Sequence, residues 1–210
     1  MLVAFDFDGT LSDSEMVVLL GQQCGVADEI DEITERAMND EIDYAESLRQ
    51  RCALLEGLDD TDAQAAFQQV QLREGAPAVI DALNDADVNT AVLTGGFERG
   101  VEAALESVGV EVDTVVANRL PVADGALTGK VEGSLIEGTK DTALESTATN
   151  LGLDLSETVA VGDGANDLPM LEAAGLAVGF DPKPAVEDAC DVVVSSMSEL
   201  QTTLENRGVL

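Results

Sequence analysis

Residues 3–11, near the start of the chain, begin with an apolar run that leads into two aspartates and a glycine. Its apolar first half is typical of a strand buried in a sheet. Because side chains alternate along a strand, we expect Asp6 and Asp8 to leave the sheet in the same direction. Two buried carboxylates are costly unless a cation compensates their charge. The segment therefore predicts a cation site at the carboxyl end of a strand, or else an ordinary Asp-Gly turn.

The rest of the chain divides by its hydrophobic pattern. Over residues 13–72 the apolar residues recur with helical spacing, and no strand pattern interrupts them. From residue 75 onward, helix and strand patterns alternate, which is typical of a parallel α/β sheet. We therefore predict a Rossmann-like parallel sheet formed by residues 1–12 and 73–210, into which residues 13–72 are inserted as a helical unit.

Arg51 has an unusual place in the helical stretch. It follows Leu48 by three residues and Tyr44 by seven, which puts it on the apolar side of its helix. One interpretation is an arginine that reaches solvent along the edge of the apolar stripe, or that pairs structurally with an acid. The other is a guanidinium that points into a closed site and binds a carboxylate with two hydrogen bonds.

Polar residues also follow the later predicted strands. Thr94 and Gly95 come after a strand predicted at residues 88–93 and precede a helix, which suits an anion but also describes a plain glycine-rich turn. Lys140 begins a predicted helix, where a lysine opposes the helix dipole unless an anion lies nearby. A tolerated surface lysine is the alternative. An Asp-Gly pair within residues 122–127 predicts a hairpin.

A further loop, after a strand predicted at residues 158–162, contains Asp163, Asn166 and Asp167. Ligands of open α/β sheets bind at the carboxyl ends of the strands, so these loops are expected to meet. Carboxylates beside a hydroxyl, a lysine and glycine amides suit Mg²⁺ together with a phosphoryl group, because Mg²⁺ prefers oxygen ligands and substrate phosphate. The sequence thus predicts a magnesium site for a small phosphate-bearing molecule.

Charge excludes several classes of partner. The chain has 42 acidic and 10 basic residues, for a formal net charge of −32. Such a field repels nucleic acid and anionic membranes, so we expect neither as a partner. Disorder needs low hydrophobicity, whereas 45% of the residues are hydrophobic. Because concentrated salt screens the self-repulsion of an acidic surface, the composition indicates adaptation to a salty cytoplasm.

Residue types narrow the chemistry further. The chain has no histidine, which excludes a Ser-His-Asp triad and histidine-bound metals. Its three cysteines are far apart, so neither a disulfide framework nor a zinc site is expected. No apolar run approaches the ~20 residues that span a bilayer, and no leader pattern precedes the first strand. We expect a cytoplasmic protein. Because the chain has only three lysines, Lys130, Lys140 and Lys183, each of them stands out in the acidic sequence.

The order of these motifs resembles that of the haloacid dehalogenase superfamily of phosphohydrolases. The matching residues are Asp6-Phe7-Asp8-Gly9-Thr10, Thr94, Lys140 and Gly162-Asp163-Gly164-Ala165-Asn166-Asp167. The resemblance covers essentially the whole chain. It implies that residues 1–12 and 73–210 form the catalytic core of that superfamily, and that residues 13–72 form a helical cap that excludes water.

The resemblance also implies roles for the matching residues. Asp6 would attack phosphorus and form an aspartyl-phosphate, while Asp8 would protonate the leaving oxygen and later accept a proton from water. Asp6, the backbone carbonyl of Asp8, and Asp163 would hold Mg²⁺, with Asp167 in support. The residues implied to bind the phosphoryl group are Thr94, Gly95, Lys140 and Asn166.

Several other stretches resemble the branch of the superfamily that hydrolyses phosphoserine. They are Glu15 and residues 47–51, 94–97, 117–120 and 161–167. In this branch Arg51 would bind the substrate carboxylate and Glu15 the ammonium group, while Met38 and Tyr44 would line the pocket. The implied activity is the release of L-serine and phosphate in serine biosynthesis, by a monomer or homodimer.

Two departures keep the substrate open, because the branch more often has serine where Gly9 and Thr94 stand. One alternative is another small-molecule phosphatase or phosphotransferase of the superfamily, acting on phosphohomoserine or a sugar phosphate. Another, from a different class, is a module that accepts phosphate without turnover. Asp8 argues against that module, because a pure acceptor has no need of a general acid.

Overall fold

The structure is a computed structural model that describes residues 1–39 and 41–210. Within these residues, strands form a six-stranded parallel sheet and a separate two-stranded hairpin. The strands are β1 (Leu2–Phe5), β2 (Asn89–Phe97), β3 (Thr114–Asn118), β4 (Val122–Ala123), β5 (Ala126–Leu127), β6 (Thr158–Gly162), β7 (Leu176–Phe180) and β8 (Val192–Val194). The parallel α/β fold predicted from the alternating pattern is confirmed.

The large sheet has the strand order β3-β2-β1-β6-β7-β8, which places β1 between β2 and β6. All four residues of β1 are fully buried, as expected for a parallel strand with both faces covered. Leu2 pairs with Asn89 on one side and with Thr158 on the other, so the three central strands run side by side. Their carboxyl ends therefore meet at one edge of the sheet, where the polar loops emerge.

Helices cover the sheet and fill the interval between β1 and β2. They are α1 (Met16–Cys24), α2 (Ala27–Met38), α3 (Tyr44–Ala53), α4 (Asp60–Phe67), α5 (Ala76–Asp85), α6 (Glu98–Val108), α7 (Lys140–Asn150), α8 (Leu168–Ala173), α9 (Pro184–Glu187) and α10 (Met197–Asn206). The first four follow β1 and precede β2, in the stretch where helices were expected. The division into a core and a cap at residues 13–72 stays a prediction. Among the described helices, none is both long and apolar enough to cross a membrane.

Side chains of α4 attach the inserted helices to the sheet. Phe67 is buried and meets Phe97, at the end of β2, edge to face with 6.3 Å between ring centroids. Arg99 of α6 lies over the Phe67 ring at 5.2 Å and donates to Asp60 Oδ1 at 2.6 Å. Aromatic pairing and a cation–π contact add to the burial of apolar area at this junction. The junction fixes α4 beside the end of β2.

Strand β2 is longer than the sequence indicated. The predicted strand, residues 88–93, continues to Phe97, and its pairing with β3 shifts register after Leu93. Irregularities of this kind bend a strand and redirect its side chains. Thr94 and Gly95 therefore lie within an irregular strand end, and not in a turn that follows the strand.

The predicted hairpin is present as β4 and β5. Asp124 and Gly125 have φ values of +52° and +82°, the positive angles that a two-residue hairpin turn of type I′ requires. The Leu127 amide donates to the carbonyl of Leu58 at 2.8 Å, and the Gly57 amide donates to the carbonyl of Leu127 at 2.9 Å. The hairpin thus binds the segment between α3 and α4.

Candidate active site

The first polar loop begins where β1 ends. Phe5 and Phe7 are fully buried in the apolar core, so alternation directs Asp6 and Asp8 to the other side, where both line a cavity. The Asp6 amide donates to the carbonyl of Val161 on β6 at 2.8 Å, which ties the loop to the neighbouring strand. The two aspartates therefore leave the sheet in the same direction, as predicted.

Gly9 allows this loop to lie against the loop after β6. Its φ is +94°, and an added Cβ would come within 2.7 Å of both carboxylate oxygens of Asp163. Neither the backbone angle nor the space admits a side chain without rearrangement. The glycine therefore permits the close approach of the two acidic loops.

Arg73, which no sequence motif singled out, supports the first loop. Its Nε donates to the carbonyl of Thr10 and its Nη2 to the carbonyl of Gly9, each at 3.0 Å. The guanidinium also lies over the ring of Phe180 at 5.1 Å. These contacts hold the loop by its carbonyl groups and so help to fix the positions of Asp6 and Asp8.

The loop after β6 is organised by Asp167, which is completely buried. Its Oδ2 accepts from the amides of Asp163 and Gly164, each at 2.9 Å. A Cβ on Gly162 would lie 2.7 Å from the Asp167 carboxylate, so glycine is needed where the loop folds back. Asp167 thereby fixes Asp163, which also lines the cavity.

The two loops bring three buried carboxylates together. Oxygen atoms of Asp6, Asp163 and Asp167 all lie within 4.8 Å of one another. Lys140, the first residue of α7, is also buried, and its Nζ lies 2.5 Å from Asp6 Oδ1 and 2.5 Å from Asp167 Oδ1. This pairing explains a lysine at the start of a helix, where the helix dipole disfavours it.

One buried lysine does not balance this negative charge. Burial, followed by the charge of Asp167, raises the pKa of Asp6 to about 8, although Lys140 acts in the opposite direction. Burial lowers the pKa of Lys140, but Asp167 and Asp6 outweigh it and raise that pKa above its usual range. Clustered oxygen donors with an excess of negative charge fit a hard divalent cation. The residues present therefore fit the magnesium ion that the sequence predicts.

The carboxylates adjoin a cavity of about 680 Å³ at the edge of the sheet. Helices α2 and α3 contribute one side of it, and the loops after β1, β2 and β6 contribute the other. The predicted site residues that line it are Asp6, Asp8, Glu15, Met38, Tyr44, Arg51, Thr94, Gly95, Asp163 and Asn166. The two remaining predicted residues, Lys140 and Asp167, are buried and bonded to this group, so the fold brings all twelve together.

Asp8 differs from its neighbours in its hydrogen bonding. Among the described residues, its buried Oδ1 has no hydrogen-bond partner. Burial, with the charges of Glu15 and Asp6, raises the pKa of Asp8 well above its usual range. Because Asp8 lines the cavity, a carboxyl group of raised pKa at this position can exchange a proton with a bound molecule.

The end of β2 offers hydrogen-bond donors to the same cavity. Thr94 Oγ1 accepts from the Gly96 amide at 2.9 Å, which leaves its own hydrogen free to donate. Asn118, completely buried, donates from Nδ2 to the carbonyl of Gly95 at 3.0 Å and accepts from the Leu135 amide at 3.3 Å. The asparagine thus fixes the backbone of Gly95 from behind.

A sequence profile of the haloacid dehalogenase-like hydrolases matches residues 3–172 of the chain. The chain belongs to this family. Among curated relatives of this haloacid dehalogenase-like hydrolase, a phosphoserine phosphatase from Halobacterium salinarum is 53% identical over 208 residues, covering 99% of each chain. A phosphoserine phosphatase from Methanocaldococcus jannaschii is 39% identical over 194 residues, covering 92% of this chain and 91% of the relative.

Solved structures agree with this assignment of the haloacid dehalogenase-like hydrolase. A substrate-bound phosphoserine phosphatase complex superposes with a TM-score of 0.89 at 36% identity, covering 98% of this chain and 97% of the other. A phospho-aspartyl intermediate analogue of a phosphoserine phosphatase gives the same TM-score and identity, covering 96% and 97%. The similarity extends over the core and the inserted helices alike.

The helical side of the cavity carries charge in this haloacid dehalogenase-like hydrolase. Arg51 is half-buried, lines the cavity, and donates from Nε to the carbonyl of Ser47 at 3.4 Å. Its position on the inner face of α3 is the one that its spacing from Tyr44 predicted. Glu15 lines the same cavity from the loop before α1. One cavity is therefore lined by this cation and anion as well as by Asp6, Asp8 and Asp163.

Lys183 also lines the cavity of the haloacid dehalogenase-like hydrolase, although its sequence context did not single it out as a site residue. Its Nζ lies 2.9 Å from Asp163 Oδ2, and its amide donates to the carbonyl of Asp163 at 2.8 Å. Its only signal was rarity, as one of three lysines in an acidic chain. The contact joins residues that follow different strands, so no local sequence pattern predicts it.

Proposed function

We propose that this haloacid dehalogenase-like hydrolase is a magnesium-dependent phosphoserine phosphatase. The observation that carries the proposal is one cavity whose lining includes Asp6 and Asp8 together with Arg51 and Glu15. Phosphoserine carries a phosphate, a carboxylate and an ammonium group, which suit these three kinds of partner. The curated relatives named phosphoserine phosphatase, similar over nearly the whole chain, support the same substrate.

The proposed reaction has two steps. In the first, Asp6 attacks phosphorus, the ester P–O bond breaks, and Asp8 gives a proton to the departing serine oxygen. In the second, water attacks the phosphorus of the aspartyl-phosphate, Asp8 accepts a proton from that water, and the bond from phosphorus to the Asp6 oxygen breaks, which releases inorganic phosphate and restores the Asp6 carboxylate. The hydrogen bonds from Arg73 to the loop carbonyls hold both aspartates in position throughout.

The phosphoryl group needs positive charge and hydrogen-bond donors. We assign this role to the Thr94 hydroxyl, the Gly95 amide and Lys140, with Asn166 orienting the phosphate. Mg²⁺ would be held by Asp6, Asp163 and the backbone carbonyl of Asp8, with Asp167 in support. When bound, the ion supplies Lewis-acid neutralisation of phosphoryl charge.

Substrate recognition falls to the inserted helices. The Arg51 guanidinium would bind the carboxylate, and Glu15 the ammonium group, while Met38 and Tyr44 line the apolar wall. We propose that residues 13–72 act as a cap that covers the substrate, on a core of residues 1–12 and 73–210. The place of the enzyme would be serine biosynthesis in a salty cytoplasm, as a monomer or homodimer, and the net charge of −32 supports the salty setting.

The proposal is tested by phosphate release from L-phosphoserine with Mg²⁺ in concentrated KCl. Phosphohomoserine, a panel of sugar phosphates and p-nitrophenyl phosphate are assayed beside it. We expect kcat/KM for phosphoserine to exceed that for sugar phosphates by about 100-fold, because the sugar phosphates offer no carboxylate to Arg51. Faster turnover of a different ester would overturn the substrate, and a folded protein without any turnover would overturn the enzyme assignment.

Magnesium is expected to raise the melting temperature of the metal-free protein in KCl. At 100 times its dissociation constant, a ligand adds about 2.7 kcal/mol to the free energy of unfolding. Each kcal/mol corresponds to roughly 2–4 °C for a chain of this size. The Asp163→Asn variant is expected to lose most of the rise relative to its own metal-free state. Asp141→Asn, which removes an exposed charge on α7, is the control. An equal rise in both variants would mean that Mg²⁺ acts only on the acidic surface.

A further inference from the structure

Tyr44 reaches from the inserted helices to the end of β2. It is the first residue of α3, and the helix start is capped by Asp43 Oδ1, which accepts from the Glu46 amide at 2.7 Å. An ideal Cβ built on Gly95 would lie 1.7 Å from the Tyr44 hydroxyl oxygen, so only glycine leaves room for that hydroxyl. The phenol therefore touches the strand end to which we assign phosphate binding.

The Tyr44 hydroxyl has no hydrogen-bond partner among residues 1–39 and 41–210. In the described part of the chain no hydrogen bond involves the Tyr44 oxygen, although the residue is half-buried and lines the cavity. Burial raises the pKa of Tyr44 to about 12, even though Lys140 and Arg51 act to lower it. The group therefore stays protonated at neutral pH and can donate a hydrogen bond. The hydroxyl is therefore available as a donor to a molecule bound in the cavity that Tyr44 lines.

We propose that the Tyr44 hydroxyl donates a hydrogen bond to the phosphoryl group of the bound substrate. The inference rests on the proposed function and adds a phosphate-binding residue that comes from the helical insertion. Phosphate is the favoured acceptor because the hydroxyl adjoins Gly95, whose amide we assign to phosphate binding, and because the ammonium group of phosphoserine offers no acceptor. Arg51 lies seven residues further along the same face of α3, so one helix would contact both the phosphate and the carboxylate.

The Tyr44→Phe variant removes only the hydroxyl oxygen. We expect its affinity for inorganic phosphate, measured by calorimetry with Mg²⁺ in KCl, to fall by about tenfold or more, as for a lost hydrogen bond to a charged acceptor. L-Serine has no phosphate, so its affinity is expected to stay within about twofold. The melting temperature without ligand is expected not to fall, because the hydroxyl has no partner to lose. The value of kcat/KM for phosphoserine is expected to fall by a similar factor.

Thr94→Val provides the comparison, since it removes a donor on β2 and is expected to weaken phosphate binding in the same way. Unchanged phosphate affinity in Tyr44→Phe, or no phosphate binding by the wild-type protein, would overturn the inference. Equal losses for phosphate and L-serine would also overturn it, because they would make Tyr44 a support for α3. Phosphate binding requires no turnover. A wild-type protein that shows the Tyr44 effect yet releases no serine would refute the proposed function and leave this inference standing.

Discussion

Replacing Asp6 by asparagine is expected to lower phosphoserine turnover by at least about 10⁴-fold, the scale seen when a nucleophile is removed. The amide keeps the size of the side chain but cannot form the acyl-phosphate bond. Folding is expected to survive, because burial and Asp167 already disfavour the ionised form of Asp6, whose pKa is raised to about 8. Lys140 also retains its ion pair with Asp167. The melting temperature of the variant is therefore expected to equal or exceed that of the wild type.

Two measurements check this expectation. Phosphate release is compared in the wild type, in Asp6→Asn, and in Asp13→Asn, which makes the same substitution at an exposed position just after the first loop. Acid quenching with labelled substrate then tests for protein-bound phosphate, expected in the wild type and in Asp13→Asn only. Residual activity above about one-hundredth in Asp6→Asn would place the nucleophile elsewhere, because no other group replaces a missing nucleophile at that efficiency.

Replacing Arg51 by alanine is expected to change the choice of substrate and to leave the phosphate chemistry in place. Truncating one partner of a buried charge pair costs about 2–5 kcal/mol, which corresponds to roughly 30-fold or more in kcat/KM. We expect a loss on that scale for L-phosphoserine, because Lys183, another cation in the cavity lining, is already paired with Asp163. For p-nitrophenyl phosphate, which has no carboxylate, we expect a change of less than about threefold, as for a lost surface contact.

Arg49→Ala is the matched control on the same helix. Arg49 lies on the outer face of α3 and pairs with Glu137, with both side chains mostly exposed. Exposed pairs contribute little, so this variant is expected to resemble the wild type on both substrates. A parallel loss on both substrates in Arg51→Ala would show that the arginine supports the cavity as a whole. In that case Arg51 would not select the substrate.

Local pattern was sufficient for the elements that carry the main chemistry. The apolar run before Asp6 and Asp8 specifies a buried strand, and alternation alone then directs both aspartates to one side. The spacing of Arg51 from Tyr44 specifies the inner face of α3 in the same way. These features are encoded within a few residues of one another, and they appear in the structure as the sequence predicts.

The end of β2 was harder to predict from the sequence. Glycines usually mark a turn, so Gly95 and Gly96 suggested that the strand had already ended. In the structure the strand continues to Phe97, because pairing with β3 resumes after a register shift. Pairing with a neighbouring strand overrode a local preference, and the donors of Thr94 and Gly95 took their direction from that irregular end.

The contacts that complete the site were decided only by the tertiary structure. Arg73 binds the carbonyl of Gly9, 64 residues away in the chain, and Lys183 binds Asp163 across two loops. Tyr44 fits over Gly95 because a glycine far along the chain leaves space for its hydroxyl. Strand and helix periodicities report which face a residue takes, but they do not report which distant residue it meets. Local patterns of residues specify the sheet, the helices between β1 and β2, and the acidic residues that face the cavity. Folding determined which donors and cations surround them, because those partners come from segments with no shared local pattern.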